Sequence, residues 1–222
     1  MKKFFLLVLC VTLSMSVDAQ FQQPAYQILG NDTTCQIFVY SPGETAGLHV
    51  AYLTDTQSWC DAGKVCGSDY AQWGAEKKMH DPYVLHATDG TWRLVFSVNN
   101  YSPCFAAAYS EDLVTWRPQD YPRVSQKGAL KPIIFQMDDG TFDIYYKGKD
   151  GSRHYVQANQ QFRKFTETPG LSTIDEVAWM RDTATVAGHT HQGNLFDVPK
   201  VHLDYILNYQ MALAHDVAIS GE

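Results

Sequence analysis

The feature that most restricts how this chain can fold is a repeat of about 50 residues. Pro82 and Pro132 stand 50 residues apart, and so do the turns Asp89-Gly90 and Asp139-Gly140. Around each pair the same order recurs. In one copy His80-Asp81-Pro82-Tyr83-Val84-Leu85 precedes the Asp-Gly turn, and Trp92 to Val98, Phe105 to Tyr109 and Ser110-Glu111-Asp112-Leu113-Val114-Thr115-Trp116 follow it. In the other, Leu130-Lys131-Pro132-Ile133-Ile134-Phe135 leads into the turn, and Phe142 to Lys147, His154 to Ala158 and Phe162 to Phe165 complete the unit. Short β-branched and aromatic runs divided by Asp-Gly, Pro and Gly are strand and hairpin signals. About four such strands per 50-residue period predict an all-β, propeller-like array of four-stranded blades, each packing its faces on its neighbours around an axis.

A less regular unit comes first, with strands expected over Cys35 to Tyr40 and Leu48 to Tyr52, closed by Trp59; Cys60 to Lys78, rich in Gly, Asp and Lys, reads as a long loop. Three units do not close a ring that typically takes about four to eight blades. The rest of the chain must then add strands, or the array is incomplete. Beyond Pro169-Gly170 the pattern changes to a strand pair about Gly188 and a helix opened by Pro199, with Val201, Leu203, Ile206, Leu207 and Met211 at a rough helical period. The expected division is residues 1–19 as a secretory signal, 20–168 as blades, and 169–222 as a strand-strand-helix segment.

The signal reading rests on Lys2 and Lys3, the apolar run Phe4 to Leu13 and the small-residue site at Val17-Asp18-Ala19. It predicts a secreted or periplasmic protein, and no later stretch has the roughly 20 apolar residues of a membrane span. With 17 Lys and Arg against 24 Asp and Glu, the net charge of −7 argues against a nucleic-acid partner. The 13% aromatic content and many Tyr and Trp suit an oligo- or polysaccharide partner, although an ordinary β core looks similar. Cys35, Cys60, Cys66 and Cys104 allow three disulfide pairings or buried free thiols.

Asp81 is the carboxylate in the most constrained setting. The proline after it predicts an extended backbone there, holding the side chain at a fixed angle near the axis. Trp73, in the long loop before it, is the aromatic expected to be exposed as a sugar platform, with Tyr101 a second. Trp92 and Trp116 occupy repeat positions and are expected in the core. His189 and His191 alternate on one strand, but nothing in their spacing demands a metal, and no cofactor is implied.

Together His80-Asp81-Pro82, the Asp-Gly turn and the Ser-x-Asp-Leu-x-x-Trp ending at 110–116 resemble the five-bladed propellers of glycoside hydrolase family 43, the arabinanase, arabinofuranosidase and xylosidase type. Ile37 to Gly43 is similar to an opening strand of secreted arabinan-acting members, and the resemblance covers roughly Cys35 to Thr166. It implies inverting hydrolysis of arabinose- or xylose-containing plant polysaccharide, with Asp81 as general base and a Glu as general acid. It is also compatible with a structural cation near the axis. Such chemistry sets two carboxyl groups roughly 6.5–9.5 Å apart with a water between base and sugar. Glu176 is the candidate acid, and His80, Trp73, Lys131 and Tyr101 are candidate substrate contacts. The chain departs from the family at Lys131, where a second Asp is expected. That departure keeps a second reading open, a non-catalytic carbohydrate-binding or scaffold propeller.

Overall fold

A computed structural model describes residues 34–70, 77–100, 102–168, 179 and 181–220. The fold is all-β and propeller-like, with three sheets and a C-terminal helix. The middle sheet takes its strands in chain order, β4 (Met79–His86), β5 (Trp92–Val98), β6 (Phe105–Ser110) and β7 (Gln119–Asp120). So does the third, β8 (Leu130–Gln136), β9 (Phe142–Lys147), β10 (Arg153–Ala158) and β11 (Phe165–Glu167). Their hairpins turn on Gly90 and Gly140, whose φ values of 81° and 80° only glycine adopts freely. Asp89 and Asp139 each accept the backbone N–H and hydroxyl of the threonine two residues on. This identical local chemistry is why the two turns share one shape.

The first sheet is built differently. It comprises β1 (Thr34–Tyr40), β2 (Leu48–Leu53), β3 (Trp59–Cys66), β12 (Asp182–Val186) and β13 (His189–Pro199). Their order, β1-β13-β12-β3-β2, closes into a small barrel. β1 pairs along its whole length with β13, so the first and last strands of the described chain join in one sheet. The approach is tight at Gly193, where a Cβ would stand 2.0 Å from the Val39 carbonyl oxygen. β3 corrects the loop expected from Cys60 onward. Its register against β2 shifts near Gly63, at φ 109°, which breaks the alternation that marks a strand in sequence.

Closing a barrel answers the problem of too few blades. One face of the first sheet encloses Phe38, Tyr40, Ala51, Ala184 and Val186 as its own core. Its other face packs on the middle sheet through Ile37, Val39, Val50 and Tyr52 against Val84, Trp92, Leu94 and Phe96. The opposite side of the middle sheet, with Val95, Phe105 and Ala107, packs on Ile134, Phe142, Ile144 and Tyr146 of the third. Trp92 and Trp116 are buried as expected. Among the described residues, Cys35, Cys60, Cys66 and Cys104 are free thiols, with Cys35 and Cys104 buried; burial pushes the Cys35 thiol up to about 11.

The helix α1 (Lys200–Ser220) docks Leu203 and Ile206 into the core between the first two sheets. Past Gln210, which hydrogen-bonds the Lys64 carbonyl, it leaves Met211, Leu213 and Val217 exposed. Among the described residues no helix is long and apolar enough to cross a membrane.

Candidate functional site at the Asp81 and Lys131 bulges

The middle and third sheets present the same backbone device on their first strands. β4 slips register against β5 between His80 and Tyr83, and β8 slips against β9 between Leu130 and Ile133. Each bulge holds a non-glycine residue in the left-handed region just before proline, Asp81 at φ 47° and Lys131 at φ 50°. This overturns the extended conformation expected from Pro82 alone. The bulge supplies what the local preference opposes, since its extra residue needs a bent backbone, and the neighbouring sheet anchors it. The Ser97 hydroxyl accepts the Lys131 N–H at 2.9 Å.

One half-buried cation, Arg181, holds the two bulges together. The Arg181 guanidinium donates to the Pro82 carbonyl at 2.7 Å and to the Pro132 carbonyl at 2.9 Å. It also stacks 5.3 Å from the centre of the Tyr83 ring. Burial pulls this guanidinium below its ordinary pKa, and the nearby Asp81 carboxylate and Tyr83 oppose that pull. Asn194 of β13 accepts the buried Val84 N–H at 3.1 Å, fixing β4 against the first sheet. Asp81 and Lys131 are therefore side by side at one end of adjacent strands, with Arg181 tying the carbonyls that follow them.

On the Asp81 side a cleft of about 270 Å³ is lined by Ser41, Glu44, His80, Asp81, Pro82 and Gln192. The turn after β1 shapes it. Ala46 N–H bonds the Gly43 carbonyl, and Met79 N–H bonds the Glu44 carbonyl, pinning this turn to the start of β4. The cleft thus holds two carboxylates, Asp81 and Glu44. Glu44 is paired with Lys78 at 3.1 Å, and that hydrogen bond and charge hold its carboxyl below its ordinary value. A general acid needs the opposite displacement. The Nε2 atom of His80 is buried and lacks a hydrogen-bond partner among the described residues.

On the Lys131 side the character is basic and aromatic. Lys147 of β9 stands directly across from Arg153 of β10, and its ammonium lies 5.1 Å from the centre of the Trp179 ring. Leu130, the residue before Lys131, pairs with Lys147 across β8 and β9; burial, then Arg153, then Lys131 push the Lys147 pKa down. A larger cleft, about 380 Å³, lies at Cys66, Asp69, Trp116, Arg117 and Tyr209. It is lined by one carboxylate, Asp69, which already accepts the Tyr121 hydroxyl.

The bulges therefore bring together Asp81, His80 and Lys131, three of the residues expected from sequence. Trp73, Tyr101 and Glu176, like the expected signal at residues 1–19, lie outside the described residues. Glu44, Gln192, Arg181 and Asn194 were not foreseen. Glu44 sits in a Pro-Gly turn that reads as punctuation, and Arg181 belongs to no repeat, so neither carries a sequence signal. His189 and His191 lie on the first sheet, where His191 packs on Tyr40. No group of three or more metal-ligating side chains occurs among the described residues.

No protein-family model matches the sequence, and a comparison with curated proteins finds no match. Among solved structures the chain is similar to a Bifidobacterium bifidum protein provisionally assigned as an exo-beta-1,3-galactanase, with 17% identity, 67% of this chain and 53% of that one covered, and a TM-score of 0.46. It is also similar to the Bacteroides ovatus xyloglucan-locus protein GH43B, at 15% identity, 71% and 32% coverage and a TM-score of 0.43. An endo-1,4-beta-xylanase of Bacteroides thetaiotaomicron gives 13% identity, 71% and 76% coverage and a TM-score of 0.37. The chain spans about half the length of the first of these and a third of the second. With every TM-score below 0.5, these likenesses assign no family to the chain.

Proposed function

We propose that the chain is a carbohydrate-active protein of glycoside-hydrolase type. Its axial cleft engages arabinose- or xylose-containing plant polysaccharide, with Asp81 as general base. The observation that carries this reading is the cleft itself, open to solvent and lined by the Asp81 and Glu44 carboxylates beside His80. In the reaction Asp81 takes a proton from water as the water oxygen bonds the anomeric carbon. The glycosidic C–O bond breaks on the far side, and its oxygen receives a proton from a second carboxylic acid, giving an inverted sugar. Glu176 is our candidate for that acid; Glu44, held ionised by Lys78, is poorly suited to it.

A second reading, a non-catalytic carbohydrate-binding propeller, is favoured by one specific observation. The bulge that repeats Asp81 carries Lys131, so the two bulges supply one carboxylate between them. Wild-type protein assayed on arabinan and xylan distinguishes the two. Release of reducing sugar, with the inverted anomer first in the proton NMR spectrum, supports hydrolysis. Retention in polysaccharide affinity gels without turnover supports the binding protein, and neither retention nor turnover refutes both.

A further inference from the structure

The cleft of about 380 Å³ at Asp69, Trp116 and Tyr209 belongs to neither bulge. Asp81 lies on β4, whereas Gln119, in the wall of this cleft, lies on β7 at the opposite edge of the same sheet. Three strand spacings, roughly 14 Å, therefore separate the two places. Three parts of the fold meet here. The end of β3 brings Val65, α1 brings Tyr209, and the Ser-x-Asp-Leu-x-x-Trp ending brings Thr115 and Trp116, with Arg117 next in the chain. Hydrogen bonds fix these walls. The Gln119 amide donates to the Gly67 carbonyl at 2.8 Å and accepts the Asp69 N–H at 3.1 Å. Asp112 accepts the Val114 and Thr115 N–H groups, and the buried Trp116 indole donates to the Leu113 carbonyl at 2.9 Å. Two polar groups stay uncommitted. Among the described residues, the exposed Arg117 guanidinium and the Tyr209 hydroxyl have no hydrogen-bond partner. A second cleft, of about 210 Å³ at Tyr109, Glu111 and Asp112, shares Thr115 and Arg117 with the first, so Arg117 borders both.

We propose that these adjoining clefts form a second saccharide site, which anchors a stretch of neutral polysaccharide at the outer edge of the middle sheet. The proposal takes its ligand class from the reading of the Asp81 cleft as a saccharide site. Charge narrows that class. Asp69 lines one cleft and Glu111 the other, with Arg117 bordering both. An anionic ligand gains at Arg117 and loses at the two carboxylates, and a cation meets the reverse. A hydroxyl donates and accepts at once, so neighbouring hydroxyls of a neutral sugar serve guanidinium and carboxylate together. The Tyr209 ring, beside Val65 and Val114, gives the carbon skeleton of the sugar an apolar wall. Because the walls are already hydrogen-bonded in place, little side-chain freedom is lost on binding. Two clefts that share a wall suit successive units of a chain better than a single small molecule. The site does no chemistry of its own; it keeps the polymer on the protein while the Asp81 cleft acts on it.

The test is affinity electrophoresis in gels holding xylan, arabinan or polygalacturonate, with retention read as an apparent Kd. Wild type is expected to be retained by a neutral polymer, and at least about threefold less by polygalacturonate. Arg117→Met and Tyr209→Ala each weaken retention on the neutral polymer about threefold to tenfold. Arg117 is exposed, so its variant reads the site even where Tyr209→Ala disturbs the helix. Tyr209→Phe, which keeps the ring, stays within about twofold of wild type, and so does Asp81→Asn, which lies outside both clefts. Retention that survives Arg117→Met and Tyr209→Ala, or that is stronger on polygalacturonate, overturns the second site and leaves the Asp81 reading standing. Turnover of xylan or arabinan without retention does the same. Neither retention nor turnover overturns both.

Discussion

The β4 and β8 bulges share one backbone and differ in one charge. Both place a non-glycine residue at φ near 50° before proline, both feed a strand that turns on Asp-Gly, and both give their proline carbonyl to Arg181. One carries Asp81 and the other Lys131. Left-handed backbone at a non-glycine residue is often taken as a mark of catalytic strain. Here it recurs under a lysine, so the conformation belongs to the architecture of the blade. What the chain does at each place depends on the side chain mounted there.

Several substitutions would break or sharpen this equivalence. The largest effects should come from the cores at the hairpin ends of the two strands that carry the bulges. Trp92 and Phe142, 50 residues apart and both fully buried, face different interfaces. Replacing either by alanine should cost about 3–5 kcal/mol in chemical denaturation. A clearly smaller loss at Phe142 would mean that the third sheet is held less firmly than its repeat implies. Next, Arg181→Met leaves two bulge carbonyls without their donor and should destabilise the fold by about 2 kcal/mol. A neutral result would break the claim that one cation ties both bulges.

Glycine tests the strain directly. Lys131→Gly should stabilise by about 1 kcal/mol as the left-handed backbone relaxes, and Asp81→Gly by less, because aspartate tolerates that region better than lysine. Melting temperatures of the two variants, compared with wild type, read the difference. The smallest effect concerns pH. At the end of the middle unit Asp112 accepts the N–H groups of Val114 and Thr115, whereas in the third unit Asn159 accepts those of Arg163 and Lys164. Burial would raise the Asp112 carboxyl, but its hydrogen bonds, from Thr115 first, hold it below its ordinary value. A depressed carboxyl adds stability above the unfolded pKa near 4 and loses it as pH falls through the lower folded value. Asp112→Asn should therefore lower stability at pH 7 by some tenths of a kcal/mol and flatten the acid limb below about pH 4, where the variant and wild type converge. Asn159→Ala should leave that limb unaltered.

Much of this was legible in the sequence, for a definite reason. The repeat is written in residues that act locally, Asp-Gly turns and alternating strands, and local rules carry over 50 residues unchanged. The β12–β13 hairpin about Gly188 was legible in the same way. The barrel was not, because the pairing of β1 with β13 joins residues more than 150 positions apart with no motif at either end. β3 was hidden by Gly63 and its register shift. At the site, Asp81 and the contrast with Lys131 stood out as motif and departure. The left-handed bulge did not, because a proline rule for isolated dipeptides is overridden by the neighbouring sheet. Glu44 and Arg181 reach the site through tertiary placement alone, which spacing does not encode.

The central claim is that function at the paired bulges lies in the Asp81 carboxylate and not in the shared backbone. The rate of reducing-sugar release from arabinan and xylan by Asp81→Asn, measured beside wild type and Lys131→Asn, tests it most directly. Asn keeps the shape and the left-handed backbone while removing the base. The account predicts that wild type turns over and that Asp81→Asn is slower by at least about a hundredfold, with a melting temperature within about 2 °C of wild type, while Lys131→Asn retains turnover of these neutral substrates. Turnover by Asp81→Asn equal to wild type would contradict it.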